Sequence, residues 1–389
     1  MRVAILGCGM QGRRVAYHLA SSDIVSGLVV ADKNKELALK VASKIGAKAV
    51  GQQVDISERN SLETILGEVD IVFNGVGPFY KYAIGVIEAA IAQKTHYVDI
   101  NDDYDVAEEL FLKSDYDAQA KQAGVTVLCC MGAAPGLSNI LSRYGSQQLQ
   151  RVKAIHIYFS YPYWRGPASV TDHMLHCLTG EVTQYLGGRY TKVKAFGGKE
   201  IIKFLAPSGS MDSVETYYCG HSEPITLPRY IPGVEEVTVK LSCYQPEAKI
   251  LFHDLVKYGF SNRNSVTGLA ESPVDYISQY MASPEGAPYF EMELTEEDGL
   301  VMQIEVVGES NGQGICLVYE MHDKDARTIA ASATIAIEGL IRGEISARGV
   351  VAPEGCVDTV SFLPKITRYS GVSLYEKRSV VGCLYSQRD

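Results

Sequence analysis

The sequence predicts an α/β protein with a doubly wound parallel sheet at the N-terminus and a second, α+β domain that contains a largely antiparallel sheet. At 389 residues the chain is too long for one ordinary hydrophobic core, so two domains are expected. Apolar strand-like segments alternate with helical ones up to residue 139, which is typical of a parallel sheet with crossover helices. From residue 290 onward apolar and polar residues alternate instead, which indicates antiparallel strands.

The first predicted strand leads directly into a glycine-rich turn. Residues 3–6 are apolar and residues 13–20 have a helical pattern, so the turn joins a strand to a helix. Gly7 allows a sharp turn, Gly9 allows the backbone to approach a diphosphate, and Gly12 allows the helix to pack closely on the strand. The diphosphate would lie at the positive end of the helix dipole. This pattern predicts a Rossmann-type dinucleotide site formed by Gly7, Cys8, Gly9, Met10, Gln11 and Gly12.

The second predicted strand, residues 28–31, ends in Asp32. A carboxylate there accepts hydrogen bonds from the adenosine ribose and repels the additional phosphate of NADP, so NAD is the expected cofactor and NADP the alternative. Lys33 would neutralise that phosphate if its loop bent inward; a solvent-exposed lysine is the other interpretation. Asp55 follows the third strand and is predicted either to contact the adenine or to cap the next helix.

Ligands of such sheets bind beyond the carboxyl ends of the strands. Three segments follow strand ends and are expected to face the cofactor or the substrate, namely residues 74–80, 99–104 and 131–139. The cofactor contacts expected within them are Asn74, Gly75, Val76, Gly77, Pro78 and Pro135.

The predicted domain boundaries follow the change in pattern. Residues 1–139 are assigned to the dinucleotide-binding domain and residues 140–325 to a domain for substrate binding and oligomerisation. Residues 326–389 are expected to form a C-terminal helix and a tail that return to the nucleotide domain. Within the second domain the pattern predicts a helix over residues 170–185 and a strand over residues 290–294.

The composition excludes several function classes. A formal net charge of -10 argues against nucleic-acid binding and, more mildly, against an anionic membrane. The sequence has no run of eighteen apolar residues and no signal-peptide pattern, so neither a transmembrane helix nor a secretory signal is expected. Nine cysteines without paired spacing predict a reducing, cytoplasmic location.

Several segments together resemble the saccharopine dehydrogenase-like family. They are the N-terminal glycine motif and residues 74–80, 96–99 and 132–139. The chain length and residues 348–354 are most similar to the lysine 6-dehydrogenase branch. Relatives that reduce saccharopine often carry Asp before and after the Pro-Gly pair of the last segment, where this chain has Ala134 and Ser138. The resemblance implies NAD(P)-linked chemistry at a carbon–nitrogen bond.

Amine oxidation requires a group that takes a proton from nitrogen and favours a carboxylate near the developing iminium cation. Asp99 is predicted to face the amine, because carboxylates that crowd one loop raise the pKa of one of them. Asp102 and Asp103 are expected to be solvated acids. Lys81 is interpreted either as a group that binds a carboxylate or moves a proton, or as a surface lysine. The candidate catalytic residues are Asp99, Lys81, Tyr80 and His173, and Asn101 is a candidate substrate contact.

The second domain contributes further candidates. Trp164 and Arg165 suit an aromatic-walled pocket that binds a substrate carboxylate, although an aromatic packing cluster is the other interpretation. His173 and His176 are spaced to share a helix face, but the sequence offers no convincing third ligand, so no metal is predicted. His221 is a candidate substrate contact in a loop.

These residues predict an NAD(P)-dependent dehydrogenase or reductase that acts on the CH–NH or CH–NH2 group of an amino acid or opine-like amine. Oxidation of lysine at its ε-amine is the most specific hypothesis. A homodimer or homotetramer is expected. Three alternatives stay open: a biosynthetic imine reductase, such as a carboxylated polyamine or opine dehydrogenase; a catalytically silent dinucleotide-binding sensor; and an enzyme that oxidises an alcohol.

Overall fold

The structure is a computed structural model that describes residues 1–163, 166–204, 213–295 and 298–380. The chain divides into two compact units. The first contains residues 1–140 and 327–371, and the second contains the described residues of 141–326 and those from 372 onward.

The strands are β1 (Arg2–Leu6), β2 (Gly27–Asp32), β3 (Ala49–Gln53), β4 (Ile71–Asn74), β5 (His96–Asp99), β6 (Thr126–Leu128), β7 (Arg151–Tyr161), β8 (Glu181–Leu186), β9 (Arg189–Lys194), β10 (Glu200–Ile202), β11 (Val214–Tyr218), β12 (Glu236–Cys243), β13 (Leu300–Ser310), β14 (Gln313–Asp323), β15 (Gly349–Val351) and β16 (Leu374–Val380). The helices are α1 (Met10–Ala20), α2 (Lys35–Ile45), α3 (Arg59–Leu66), α4 (Phe79–Ala92), α5 (Tyr104–Glu108), α6 (Tyr116–Ala123), α7 (Leu137–Ser146), α8 (Ala168–Cys177), α9 (Glu223–Tyr230), α10 (Pro246–Lys257), α11 (Pro273–Ala282), α12 (Arg327–Arg342), α13 (Pro353–Cys356) and α14 (Thr359–Ser370). A π-helical turn, Glu109–Lys113, and a 3-10 turn, Ala287–Phe290, complete the regular structure.

The first unit is built on seven parallel strands in the order β15-β6-β5-β4-β1-β2-β3. The apolar residues of β1 are completely buried, because this strand pairs with β2 on one side and β4 on the other. The strand order therefore reverses between β1 and β4, which is where such sheets bind ligands. This topology confirms the doubly wound parallel sheet.

The second unit is built on a nine-stranded sheet. Its main path is β10-β11-β12-β7-β13-β14-β16, and β8 and β9 extend from β12. Among the described strands of this sheet, only β7 and β12 pair in parallel, whereas the other pairs are antiparallel. The predicted α+β domain with a largely antiparallel sheet is confirmed.

Three segments differ from their predicted structure. The helix expected over residues 170–185 ends at Cys177, because Gly180 adopts φ +72° and turns the chain into β8. Residues 290–294 do not form a strand. Residues 374–380 pair with β14 and lie in the second unit, so this part of the tail does not return to the nucleotide unit as expected.

Among the described residues, none of the helices combines the length and the apolar character that a membrane span requires.

Candidate functional site

Close backbone contacts shape the turn after β1. Gly7 has φ +89°, a left-handed conformation that favours glycine. Its N–H donates to the carbonyl oxygen of Ala31 at 2.8 Å and ties the turn to the end of β2. A Cβ atom on Gly12 would lie 1.8 Å from the Gly7 carbonyl oxygen, so α1 approaches the turn more closely than a larger residue permits. The turn has the geometry that a dinucleotide-binding motif requires.

The N-terminus of α1 offers its backbone N–H groups. Gly9 is the N-cap, no described side chain caps the helix, and the first turn contains no acidic residue. Apart from its own chain neighbours, no described atom lies within 4 Å of the position that a Cβ on Gly9 would take. Met10 is half-exposed and Gln11 partly buried at the helix start. A diphosphate fits here, because uncapped N–H groups and the helix dipole both favour an anion.

Asp32 connects the end of β2 to the glycine turn. Its Oδ2 accepts from the Cys8 N–H at 2.7 Å and its Oδ1 from the Asn34 N–H at 2.8 Å. A carboxylate has about four lone-pair positions, so it keeps capacity for ribose hydroxyls. Burial, and secondly the Asp32 charge, raise the pKa of the Cys8 thiol to about 12. Cys8 therefore contributes its backbone rather than a reactive thiolate.

Lys33 and Asp55 form an ion pair beside this carboxylate. Nζ of Lys33 lies 2.8 Å from Oδ2 of Asp55, and Asp55 also accepts from the N–H and hydroxyl of Ser57 at 3.0 and 2.6 Å. The hydrogen bond from Lys33, followed by those from Ser57, holds the pKa of Asp55 well below its usual range. The Lys33 charge is thus compensated by Asp55, which favours NAD over NADP. The adenine contact of Asp55 stays a prediction.

Replacing Asp32 by alanine tests the ribose assignment. We expect the affinity for NAD to fall at least about tenfold and the ratio of NADP to NAD affinity to rise, because both a hydrogen-bond acceptor and a negative charge are removed. Calorimetric titration with each dinucleotide measures both changes. Lys33→Ala is the matched control and should leave the NAD affinity within about twofold. An unchanged NAD affinity in Asp32→Ala would show that the ribose lies elsewhere.

The segment after β4 contacts the glycine turn. The Gly75 N–H donates to the Leu6 carbonyl oxygen at 2.9 Å, and the buried Asn74 accepts from the Val76 N–H at 3.1 Å. A methyl carbon of Val76 lies 3.0 Å from the position of a Cβ on Gly7. The ends of β1 and β4 therefore form one continuous backbone surface. Gly77 and Pro78 complete the segment and lead into α4.

Asp99 ends β5 and is completely buried. Its Oδ1 accepts from the N–H groups of Cys130 at 2.7 Å and Asn101 at 3.1 Å, and its Oδ2 accepts from the Tyr97 hydroxyl at 2.8 Å. The same hydroxyl accepts from Nδ2 of Asn74 at 3.1 Å. One carboxylate thus links the ends of β4 and β5 to the segment after β6.

The surroundings of Asp99 correct the cause that was predicted for its raised pKa. Burial is the first cause that raises its pKa to about 7, while the charge of Asp102 is the weakest cause and hydrogen bonds oppose the shift. The crowding of acids expected from sequence is therefore not the main reason. Both oxygens of Asp99 accept hydrogen bonds from the protein, so the carboxylate holds the loops around it together, and its role towards the amine stays a prediction.

The next residues of this loop are also internal. Asp103 was expected to be solvated but is completely buried, and its Oδ2 accepts from the Tyr80 N–H at 2.8 Å. Asn101 uses its side chain on the backbone of Asp103, accepting at 3.1 Å and donating at 3.3 Å. Asp102 is partly buried. Lys81 is exposed, with its Nζ 5.5 Å from the centroid of the Tyr80 ring. Tyr80 and Lys81 thus lie together at the start of α4.

A buried turn follows β6. The Pro135 carbonyl accepts from the Gly132 N–H at 2.9 Å, and Gly136 has φ +124°. Asn139 accepts from the Gly136 N–H at 2.9 Å and donates to Oε2 of the buried Glu354 at 3.0 Å. The shape of the Pro135 turn is therefore held from α13. Its contact with the cofactor stays a prediction.

In the second unit His221 forms a buried pair with Glu223. The imidazole is 2% exposed, and its Nδ1 lies 2.5 Å from Oε2 of the completely buried Glu223. The ring centroid of Phe159 lies 5.0 Å from that of His221. A buried imidazole that a carboxylate orients is suited to accept or release a proton. His173 is partly buried on α8, and Trp164 and Arg165 lie outside the described residues.

Sequence reasoning missed several residues that the structure places in buried contacts, among them Tyr97, Cys130 and Arg263. Tyr97 could have been found, because residues two apart in a strand share a face, so it lies beside Asp99. The contact of the Cys130 N–H could not have been found, because the direction of this group depends on the positive φ of 66° at that residue. No motif marks Arg263, whose Nη1 lies 2.8 Å from Oδ1 of Asp172 and whose pKa burial lowers to about 10.

Comparisons with known proteins agree with this geometry. Residues 3–128 match the family described as the saccharopine dehydrogenase NADP binding domain. The fold is similar to that of a saccharopine dehydrogenase (L-Glu forming) from Saccharomyces cerevisiae, with a TM-score of 0.70, 17% identity, and coverage of 97% of this chain and 99% of that chain. It is also similar to a homospermidine synthase from Legionella pneumophila in complex with NAD, with a TM-score of 0.61, 15% identity, and coverage of 100% and 95%.

Curated relatives match a smaller part of this chain than the solved structures do. A trans-acting enoyl reductase from Mycobacterium leprae is 26% identical over 144 residues, which cover 35% of this chain and 33% of the relative. The chain matches about a third of the length of the first curated relatives.

The family model confirms the resemblance to saccharopine dehydrogenase-like proteins, whereas the lysine 6-dehydrogenase branch stays a prediction. The dinucleotide fits as NAD or NADP, since the family binds NADP and the similar synthase was solved with NAD. The turn after β1, the uncapped start of α1 and the carboxylate at the end of β2 all lie within the matched residues. Over residues 3–128, the nucleotide-binding unit of this chain is similar to the saccharopine dehydrogenase NADP binding domain.

Proposed function

We propose that the protein is an NAD(P)-dependent oxidoreductase that acts on the carbon–nitrogen bond of an amino acid or opine-like amine. The dinucleotide site at the ends of β1 and β2 carries the proposal. The fold shared with a saccharopine dehydrogenase over 97% of the chain supports the choice of bond. NAD is the preferred cofactor in this proposal, because Asp32 is negative and Lys33 is paired with Asp55.

His221 and Glu223 are assigned the proton transfer. A bound nicotinamide supplies the acceptor for the hydride that leaves the carbon, and the nitrogen loses a proton as the imine forms. His221 accepts that proton in the proposal, while Glu223 orients the imidazole. Asp99 acts indirectly, since it holds the loops at the carboxyl ends of β4 and β5.

Lysine, oxidised at its ε-amine, is the first substrate to test. The second candidate is the reverse chemistry, in which the imine of an amine and an aldehyde or oxo acid is reduced. The likeness to a homospermidine synthase favours including polyamines among the amines. Because one relative is an enoyl reductase, an enoyl ester serves as the contrasting substrate without a C–N bond.

Absorbance of the reduced nicotinamide tests the proposal directly. The protein is mixed with NAD or NADP and a panel of amino acids, diamines and opines, and with the reduced cofactors and matching amine–carbonyl pairs. Turnover with any amine or imine is the expected result. Turnover with the enoyl ester alone would replace the C–N assignment by C=C reduction. Dinucleotide binding without any turnover would favour the sensor.

His221→Asn tests the proton-transfer assignment. With the substrate found above, we expect kcat to fall about 100-fold while the Kd for NAD stays unchanged, because general acid–base groups typically contribute that much. His253→Asn on α10 is the matched control, since this histidine is exposed in the same unit. Steady-state kinetics and dinucleotide titration are measured for each variant. A kcat within twofold of the unmodified protein would remove His221 from the mechanism.

A further inference from the structure

Glu354 is a buried carboxylate to which the proposed reaction assigns no role. It lies on α13, directly after β15, the edge strand that pairs in parallel with β6. Val351 lies level with Leu128 in this pairing, so the two strands end at the same edge of the sheet. Glu354 is 4% exposed. A carboxylate at this depth needs hydrogen-bond donors, because burial disfavours its charge.

The side chain of Asn139, in the first turn of α7, is a donor to this carboxylate. Asn139 is completely buried, and its Nδ2 donates to Oε2 of Glu354 at 3.0 Å. Oδ1 of the same amide accepts from the Gly136 N–H at 2.9 Å and from the Ser138 hydroxyl at 3.3 Å. One amide thus connects the carboxylate on α13 to the backbone of the turn that follows β6.

Glu354 determines the orientation of this amide. An ionised carboxylate accepts hydrogen bonds and cannot donate them, so the NH2 group of Asn139 has to face it. The carbonyl oxygen of the amide then lies on the side of the Gly136 N–H, where an acceptor is needed. The opposite orientation would place two acceptors together on one side and two donors on the other, which burial makes costly.

The turn that Asn139 contacts is closed by its own backbone. The Gly132 N–H donates to the Pro135 carbonyl oxygen at 2.9 Å, and the Leu137 N–H donates to the Gly132 carbonyl oxygen at 3.0 Å. Gly136 has φ +124°, and a Cβ there would lie 2.2 Å from the Gly132 carbonyl oxygen. Glycine permits this conformation but does not enforce it, so the hydrogen bonds made to the turn decide its shape.

This turn lies on the nicotinamide side of the expected dinucleotide site. In a doubly wound sheet the two halves of a dinucleotide bind on opposite sides of the point where the strand order reverses. Here β2 and β3 lie on the side of Asp32, which is assigned to the adenosine ribose, and β4, β5 and β6 lie on the other side. Asp99 accepts from the Cys130 N–H at 2.7 Å. The segment after β6 is therefore anchored from β5 at one end and from α13 at the other.

We propose that Glu354 is a positioning residue for the nicotinamide half of the cofactor. Through Asn139 it holds residues 132–136 in the shape that this half requires. Neither side chain is assigned a contact with the cofactor or the substrate. The proposal rests on the dinucleotide site and not on the carbon–nitrogen bond assigned above, so the two can fail separately.

Exchanging the two polar groups tests the pairing. Asn139→Asp places a second carboxylate against Glu354, so the affinity for NAD should fall at least about tenfold. In the double variant Asn139→Asp with Glu354→Gln, the introduced amide donates to the introduced carboxylate, whose other oxygen accepts from the Gly136 N–H. The NAD affinity should then return to within about threefold of the unmodified protein. Glu354→Gln alone still offers an oxygen to Asn139 and should also stay within about threefold. Calorimetric titration gives each Kd.

ADP-ribose, which lacks the nicotinamide, distinguishes positioning from a general loss of structure. Asn139→Asp should bind ADP-ribose within about twofold of the unmodified protein, because the site at β1 and β2 is unchanged. Glu338→Ala is the matched control. This glutamate is 4% exposed on α12 and accepts from the hydroxyls of Ser22 and Tyr369 at 2.6 and 3.0 Å. Its replacement should lower the Tm and leave the ratio of NAD to ADP-ribose affinity unchanged.

Three results would each overturn the proposal. They are full NAD affinity in Asn139→Asp, equal losses of NAD and ADP-ribose affinity in that variant, and a double variant without recovery. Circular dichroism verifies the fold of each protein. Should Asn139→Asp not fold, the double variant decides: a folded protein with the NAD affinity of the unmodified chain is the expected result, and any other result overturns the proposal.

Discussion

Replacing Gly12 by alanine is expected to abolish dinucleotide binding and to destabilise the nucleotide unit. The new Cβ would lie 1.8 Å from the Gly7 carbonyl oxygen, a backbone atom that has no side-chain freedom to move aside. Helix α1 must therefore shift by about an ångström, and we expect about 3 kcal/mol lower stability and at least about 100-fold weaker binding of NAD. Thermal unfolding and calorimetric titration with NAD measure the two effects.

Two other glycines provide controls for this prediction. A Cβ on Gly9 meets no described atom within 4 Å, so Gly9→Ala should keep its stability within about 1 kcal/mol and still bind NAD at least about tenfold more weakly, because the methyl group occupies the approach of the diphosphate. Gly85→Ala, in the exposed interior of α4, should change neither binding nor fold and should stabilise the protein slightly. Full NAD affinity in Gly9→Ala would place the diphosphate elsewhere.

Asp99 is expected to contribute stability that is lost as the pH rises from about 4 to about 7. Its pKa is about 7 in the folded protein, against about 3.9 for an unperturbed aspartate, so the folded state binds more protons in this window. The stabilisation is complete below about pH 4 and is lost as the pH passes about 7. The difference between a pKa of about 7 and one of about 3.9 corresponds to about 4 kcal/mol.

Asp99→Asn isolates this contribution, because the amide does not titrate. The difference in unfolding free energy between the unmodified protein and the variant should change by about 4 kcal/mol between about pH 4 and about pH 8, in favour of the unmodified protein at low pH. Urea unfolding followed by circular dichroism at several pH values gives both curves. Asp23→Asn, at an exposed position, should give a curve parallel to that of the unmodified protein. A parallel curve for Asp99→Asn would show that burial does not shift this group.

The nucleotide half could be predicted from sequence because its signals are local. The run from Val3 to Gly12 specifies a buried strand, a turn and a helix start within ten residues, and each needs only its own neighbours. Asp32 could be predicted in the same way, because it is the residue that ends the next strand. In this part of the chain, residues that are close in sequence are also close in space. The sequence pattern therefore predicts where these residues lie in the fold.

The burial of Asp99 and its hydrogen bonds could not be predicted in the same way. The sequence shows acids close together at residues 99–103, and this suggested repulsion among neighbouring carboxylates. In the fold Asp99 and Asp103 are completely buried and accept backbone N–H groups, one of them from Cys130 after another strand. Burial depends on which parts of the chain pack over a side chain in the fold. The neighbouring residues in the sequence do not indicate this.

In the second unit, too, some features could be predicted from the sequence and others could not. The alternation of apolar and polar residues predicted β13 and β14, but residues 374–380 were expected in the other unit, because nothing local indicates which sheet edge a short strand joins. The pairing of β16 with β14 brings Lys377 onto the same face as Glu305, which is about seventy residues away along the chain.

The sequence by itself determined the dinucleotide motif, the parallel sheet and the antiparallel character of the second domain, because hydrophobic period, glycine positions and strand-end carboxylates are read over a few residues. Only the tertiary structure decided that Asp99 is completely buried, that His221 has Glu223 as its partner in a buried pair, and that Glu305 and Lys377 lie on the same face of the second sheet. These properties arise from desolvation and from strand pairing across long stretches of chain, and both exist only once the chain has folded.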